Sequence, residues 1–152
     1  MSINPDLQGR SYPAADVYEV GREKIREFAR AVKATHAAHF EVEAAQALGH
    51  KDLVAPPTFA IIVAQRADAL LIEDPASGID FSRVVHAEQR FTHHRPIVAG
   101  DQLQAELHVD SVRAMGSGAM ISTRAEIFST ASGERESVAT TTSSILVRGE
   151  GQ

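Results

Sequence analysis

The chain has 152 residues, a formal charge of -5, and 43% hydrophobic against 23% charged residues, the proportions of a globular protein rather than a disordered one. It has no cysteine, which excludes disulfides, thiolate metal ligands and a cysteine nucleophile. The acidic balance and the lack of a basic run leave no electrostatic footprint for nucleic acid or for an anionic membrane surface.

The length fits one domain over 1–152, large enough to bury a core of its own. Residues Met1 to Pro13 read as a lead-in without the charged and apolar regions of a secretory signal. A first helix is expected from Gly21 to about Lys33, where Ile25, Phe28, Ala29 and Val32 share one face and charged residues cover the other. A short alanine-rich helix follows from Glu41 to Leu48, stopped by Gly49 in a C-terminal cap. Pro56-Pro57 then lead into TFAIIVAQRADALLIED. Pro57 suits the first turn of a helix, where its missing N–H has no intrahelical partner. This helix is apolar nearly all round and should be buried on most faces. Its apolar run, Phe59 to Ile72, is broken by Gln65, Arg66 and Asp68 and is too short to span a bilayer. A soluble, cytoplasmic protein is expected.

From Val84 onward the period changes to two. Val84 to His93 forms one strand. Leu103, Ala105, Leu107 and Val109 alternate with polar residues in the next, and Ile121, Thr123, Ala125 and Ile127 alternate after a turn at Ser117-Gly118. A turn around Ser132-Gly133 leads to a last strand from about Ser137 to Val147. Long strands joined by tight turns imply an antiparallel sheet, and the one apolar helix must pack on it. The expected class is α+β: a hot-dog fold, with the sheet wrapped around a central helix. The 5% aromatic content further suggests that a partner chain completes part of the apolar surface.

Two blocks carry a family resemblance. One is His39-Phe40-Glu41 followed by Ala45, Gly49 and Val54-Ala55-Pro56-Pro57; the other is Arg95-Pro96-Ile97-Val98-Ala99-Gly100-Asp101. With the element order, they make the chain resemble the MaoC-like hot-dog proteins, which include (R)-specific enoyl-thioester hydratases and (3R)-hydroxyacyl-ACP dehydratases. The resemblance implies reversible addition of water across the α,β double bond of an acyl thioester. Such a reaction needs an acid/base pair and donors for a developing enolate oxygen. Family members place Asp, then Asn-Pro, then His before the alanine-rich helix. Aligned on His39, these positions are Ala34, His36 and Ala37. His39 is the candidate base, but its carboxylate is replaced by a methyl group. The family's His-Gly at the start of the central helix is replaced by Pro56-Pro57, and proline has no N–H to donate. Thr58 and Phe59 keep theirs. Glu41 is a candidate compensating carboxylate and His36 a second titratable group.

This degenerate pattern resembles the non-catalytic, acyl-chain-binding subunits of mycobacterial heterodimeric dehydratases. The resemblance implies an acyl thioester on CoA or an acyl carrier protein as ligand, with Ala34, Pro57, Thr58, Phe59, Ile62 and Val63 lining its site. It also implies a homodimer or a heterodimer with a second hot-dog chain, and no cofactor. Two functions stay open: a dehydratase subunit using His39, and a binding subunit that needs a catalytic partner. A thioesterase rests on shared fold alone, Asp68 being the one carboxylate well inside the central helix. His36 and His39 lack a third ligand at fitting spacing, so no metal site is expected. His50, His86 and His108 read as structural, His93-His94 as an exposed loop, and Gly100-Asp101 as a tight turn. Met115 to Gly118 lacks the helix and lysine of a phosphate loop.

Overall fold

The computed structural model describes residues 3–149. The alternating second half builds one antiparallel sheet from β1 (Tyr18–Glu19), β2 (Val84–His93), β3 (Gln102–Met115), β4 (Gly118–Ser129) and β5 (Glu136–Val147). Their spatial order is β1-β3-β4-β5-β2. The helices are α1 (Arg22–Ala31), α2 (Val42–Ala47) and α3 (Ala60–Ile72). The last is preceded by a tight 3-10 turn, Pro57–Phe59, that starts on the proline.

Helix α3 lies across β3, β4 and β5. Its buried residues Ala60, Val63, Ala64, Ala67 and Leu71 share one core with Leu103, Ala105, Leu107 and Val109 of β3 and Ile121, Ala125 and Ile127 of β4. Each large side chain buried this way contributes about 1.5–3 kcal/mol, and three alanines on α3 let the sheet approach closely. This is the hot-dog arrangement that the change of period implied.

Both helices flanking the loop 32–41 end on the same motif. At the end of α2, Gly49 adopts φ +91, and Gly49 N–H and His50 N–H donate to Gln46 O and Ala45 O. At the end of α1, Lys33 N–H and Ala34 N–H donate to Arg30 O and Ala29 O. There the left-handed position is taken by Lys33 at φ +60, unusual for a residue with a Cβ. Helix α1 buries Ile25 and Ala29, while Val32 is 46% exposed, because the helix has already turned off its face at that residue.

The β3–β4 hairpin turns one residue earlier than expected. Gly116-Ser117 form the two-residue turn and Met115 pairs with Gly118. Gly116 supplies the positive φ that such a turn requires. Gly118 is needed for another reason: a Cβ there would lie 2.1 Å from Val147 O.

The two edges of the sheet differ. The lead-in segment is bonded along β3, with Gly9, Tyr12 and Ala15 N–H donating to Val109, Leu107 and Ala105 carbonyls, and Val109 N–H returning to Arg10 O. Beyond β2, among the described residues, no strand pairs. No described helix is long and apolar enough to cross a membrane.

Candidate active site

The loop after α1 is pinned to the segment that leads into α3. Ala38 and His39 sit in a 3-10 turn, Ala37–His39, with Ala38 buried. Val54 holds this turn from both sides of its peptide. Its N–H donates to Ala38 O at 3.1 Å, and its carbonyl accepts from His39 Nδ1 at 2.6 Å. Val54 in turn bridges Val98, and Ala55 N–H donates to Ile97 O. The second sequence block, Arg95 to Asp101, therefore braces the first. Its own shape comes from Gly100 at φ +96 and from Asp101. The Asp101 carboxylate accepts Val98 N–H at 2.9 Å and both terminal nitrogens of Arg95 at 2.9 and 3.0 Å.

A carbonyl only accepts, so the His39–Val54 bond fixes the proton of neutral His39 on Nδ1. Among the described residues nothing bonds Nε2, whose lone pair can take a proton. Catalytic imidazoles are commonly oriented by a carboxylate at this point. Here a backbone carbonyl orients the ring but supplies no charge to stabilise an imidazolium.

The other expected partners are used elsewhere. Ala34 contributes its N–H to the cap of α1. His36 caps the 3-10 turn, its Nδ1 accepting Ala38 N–H at 3.0 Å. That bond requires an unprotonated Nδ1 and puts the proton of neutral His36 on Nε2. The His36 and His39 rings lie 6.2 Å apart, near but not bonded. Glu41 is exposed and begins α2 without a side-chain cap bond, and no hydrogen bond joins it to His39 among the described residues. Among the described residues no group of three His, Asp or Glu gathers to hold a metal.

At the start of the central helix Pro57 and Thr58 are exposed and Phe59 is fully buried. Phe59 packs edge-on against Phe28 at 5.4 Å and near Tyr18 at 6.4 Å, so it is a core residue. Its N–H donates to Pro56 O at 2.9 Å. Since the prolines have no N–H, Thr58 carries the one backbone donor in Pro56–Phe59 that is left for a ligand. Ile62 is half-buried and Val63 buried in the core. The arrangement thus offers one oriented imidazole and one backbone donor, whereas hydration of an enoyl thioester calls for an acid/base pair and donors for an enolate oxygen.

His93 was not expected here. It ends β2, and its Nε2 donates to Pro57 O at 2.7 Å. A strand-to-helix contact across 36 residues leaves no local signal in the sequence. His94 meets Thr140, His86 meets Ser143, and His108 bridges Ser11 and Glu106. Asp68 lies about 12 Å along the helix axis from Ala60. It lines a separate groove, and burial pushes its carboxyl up to about 6.

The sequence and fold have counterparts among known proteins. A family model described as FAS1-like, dehydratase domain region matches residues 6–140. A UPF0336 protein of Clavibacter michiganensis is 49% identical over 150 residues, covering 99% of each chain. The C-terminally truncated HadBC (3R-hydroxyacyl-ACP dehydratase) complex from Mycobacterium tuberculosis contains a chain 37% identical to this one, with TM-score 0.80 over 93% of this chain and 97% of that one. A MaoC-like dehydratase is 33% identical with TM-score 0.82, over 94% of this chain and 42% of that longer one.

Proposed function

The chain belongs to the FAS1-like dehydratase-domain family of MaoC-like hot-dog proteins, and we propose that it is an acyl-thioester-holding subunit of a hydroxyacyl-thioester dehydratase. Its own acid/base site is degenerate, and turnover depends on a second hot-dog chain. The observation that carries this reading is His39. Its ring is oriented by Val54 O with a free Nε2, yet Ala34 gives it no carboxylate and Pro56-Pro57 give the thioester carbonyl no N–H. Loss of one acid/base partner commonly costs about a hundredfold to ten-thousandfold in rate.

The need for a partner is supported by the unpaired outer edge of β2, where Val85 is 44% exposed. An exposed edge of this length is normally covered. A HadBC chain, a relative of this one by sequence and fold, comes from a complex.

The test is loss of conjugated enoyl absorbance from a trans-enoyl-CoA. The chain is assayed alone and with a hot-dog subunit that keeps both Asp and His in its loop. Turnover should be weak alone and at least a hundredfold higher in the mixture. A chain that turns over fast alone and loses this on His39→Ala is a self-sufficient hydratase instead. No turnover in either arm refutes both.

A further inference from the structure

A groove lies away from His39, between α3, β2, β4 and β5, with a volume of about 860 Å3. Leu71, Ile72, Ile79, Phe81, Val84 and Ile145 give it apolar walls. Within those walls sits a polar spot. Asp68 comes from a helix that is otherwise apolar on this side, apart from Gln65 at the rim. Thr123, Ser143 and His86 line the same groove, with His86 Nε2 3.0 Å from Ser143 Oγ. Among the described residues Asp68 makes no hydrogen bond or ion pair. Its raised carboxyl, up to about 6, reflects burial, and His86 is the charge that opposes the rise.

The occupant follows from these groups. A plain alkyl chain filling the groove would strip water from Asp68 and return no hydrogen bond, which a buried polar group does not tolerate cheaply. An anionic head group is disfavoured too, because Glu73 and Asp80 line the groove beside Asp68, and among the described residues His86 is the one basic side chain there, with no Lys or Arg. A hydroxyl fits: it donates to Asp68 and accepts from Ser143, Thr123 or His86. The groove starts at Gln65, seven residues and about 10 Å along the helix from Thr58, a distance that the distal part of an acyl chain reaches from a thioester held at the start of α3.

We propose that this groove is a distal acyl subsite in which Asp68 selects chains carrying a hydroxyl over plain alkyl chains. The inference rests on the reading of the chain as an acyl-thioester binder and adds the class of acyl group.

The experiment is calorimetric titration of the intact chain with decanoyl-CoA and its ω-hydroxy counterpart, repeated on Asp68→Leu and Asp68→Asn. The intact chain should bind the hydroxylated thioester about tenfold to a hundredfold more tightly. Asp68→Leu should reverse the order, and Asp68→Asn, which keeps a hydrogen-bonding group, should keep it in part. Equal affinities in the intact chain, or a preference that survives Asp68→Leu, overturn the proposal. If neither thioester binds, the acyl-thioester reading fails, and decanol against decyl methyl ether then tests the groove by itself. A preference for the alcohol that Asp68→Leu abolishes upholds the Asp68 assignment, and its absence refutes it.

Discussion

Replacing Asp68 with Asn keeps the shape of the side chain and removes its titration. Burial raises the Asp68 carboxyl from 3.8 to about 6, so in the folded chain the carboxylate is harder to form than in the unfolded one. At about 1.4 kcal/mol per pH unit the difference amounts to about 3 kcal/mol. The folded value is raised, so the stabilisation is fully present below the unfolded pKa of 3.8 and is lost as pH rises through about 6. Above that the ionised, desolvated carboxylate weighs against folding. Urea unfolding of the wild type and Asp68→Asn across this range gives the difference directly. The variant should gain on the wild type by up to about 3 kcal/mol between about pH 4 and pH 7, with most of the change near pH 5. The readout is this slope, since an amide in the groove has its own fixed desolvation cost. His86, whose charge favours the carboxylate, sharpens the test: in a His86→Gln background the gain should be larger. A difference that does not vary with pH would refute the argument that Asp68 is desolvated, and with it the polar spot of the groove.

Other consequences are checked more simply. His39→Ala should remove whatever turnover the chain has alone and cost about 1 kcal/mol of stability through the lost bond to Val54, measured by enoyl absorbance and by thermal melting. Asp101→Ala removes the acceptor of Val98 N–H and the bidentate partner of Arg95 together, leaving Arg95 its bonds to Glu136 and Pro96 O. It should cost about 2–3 kcal/mol and loosen the His39 loop that the turn braces, seen as faster amide exchange at Val54. Gly118→Ala forces a Cβ onto the Val147 carbonyl and should destabilise by roughly 1–3 kcal/mol, whereas Lys33→Gly, which relieves a positive φ, should stabilise by up to about 1 kcal/mol. Val85→Lys puts a charge on the open strand edge and should shift the chain or its heteromer towards monomer in light scattering.

The parts of the fold legible in the sequence are those governed by local periodicity. The strict alternation from Leu103 to Val109 carries both the strand and its buried face, and the expected strand Val84 to His93 coincides with β2. Gly49 announced its cap because glycine is the usual occupant of that conformation. Lys33 holds the same conformation at the end of α1, and nothing in its chemistry signalled it. Only the two returning hydrogen bonds reveal the motif. At the site, the missing carboxylate at Ala34 and the missing N–H groups at Pro56-Pro57 could be read from the residues alone. The orienting Val54 carbonyl, the His93 contact with Pro57 and the walls around Asp68 could not. Each joins segments that are distant in the chain, and pairing of that kind is written in tertiary packing rather than in any window of sequence.

The segment bonded along β3 has a kinetic meaning. Gly9 and Val109 meet although roughly a hundred residues separate them, while β3, β4 and β5 are joined by short hairpin connections. Closing the long loop carries the larger entropy cost and gains few bonds. The hairpins should therefore form first and the N-terminal strap dock last, onto a sheet already made. On the return path it is the first piece to peel away. Its amides at Gly9, Tyr12 and Ala15 should exchange through a low-energy opening that leaves β4 protected, a latch whose release would expose a second raw sheet edge before the core is lost.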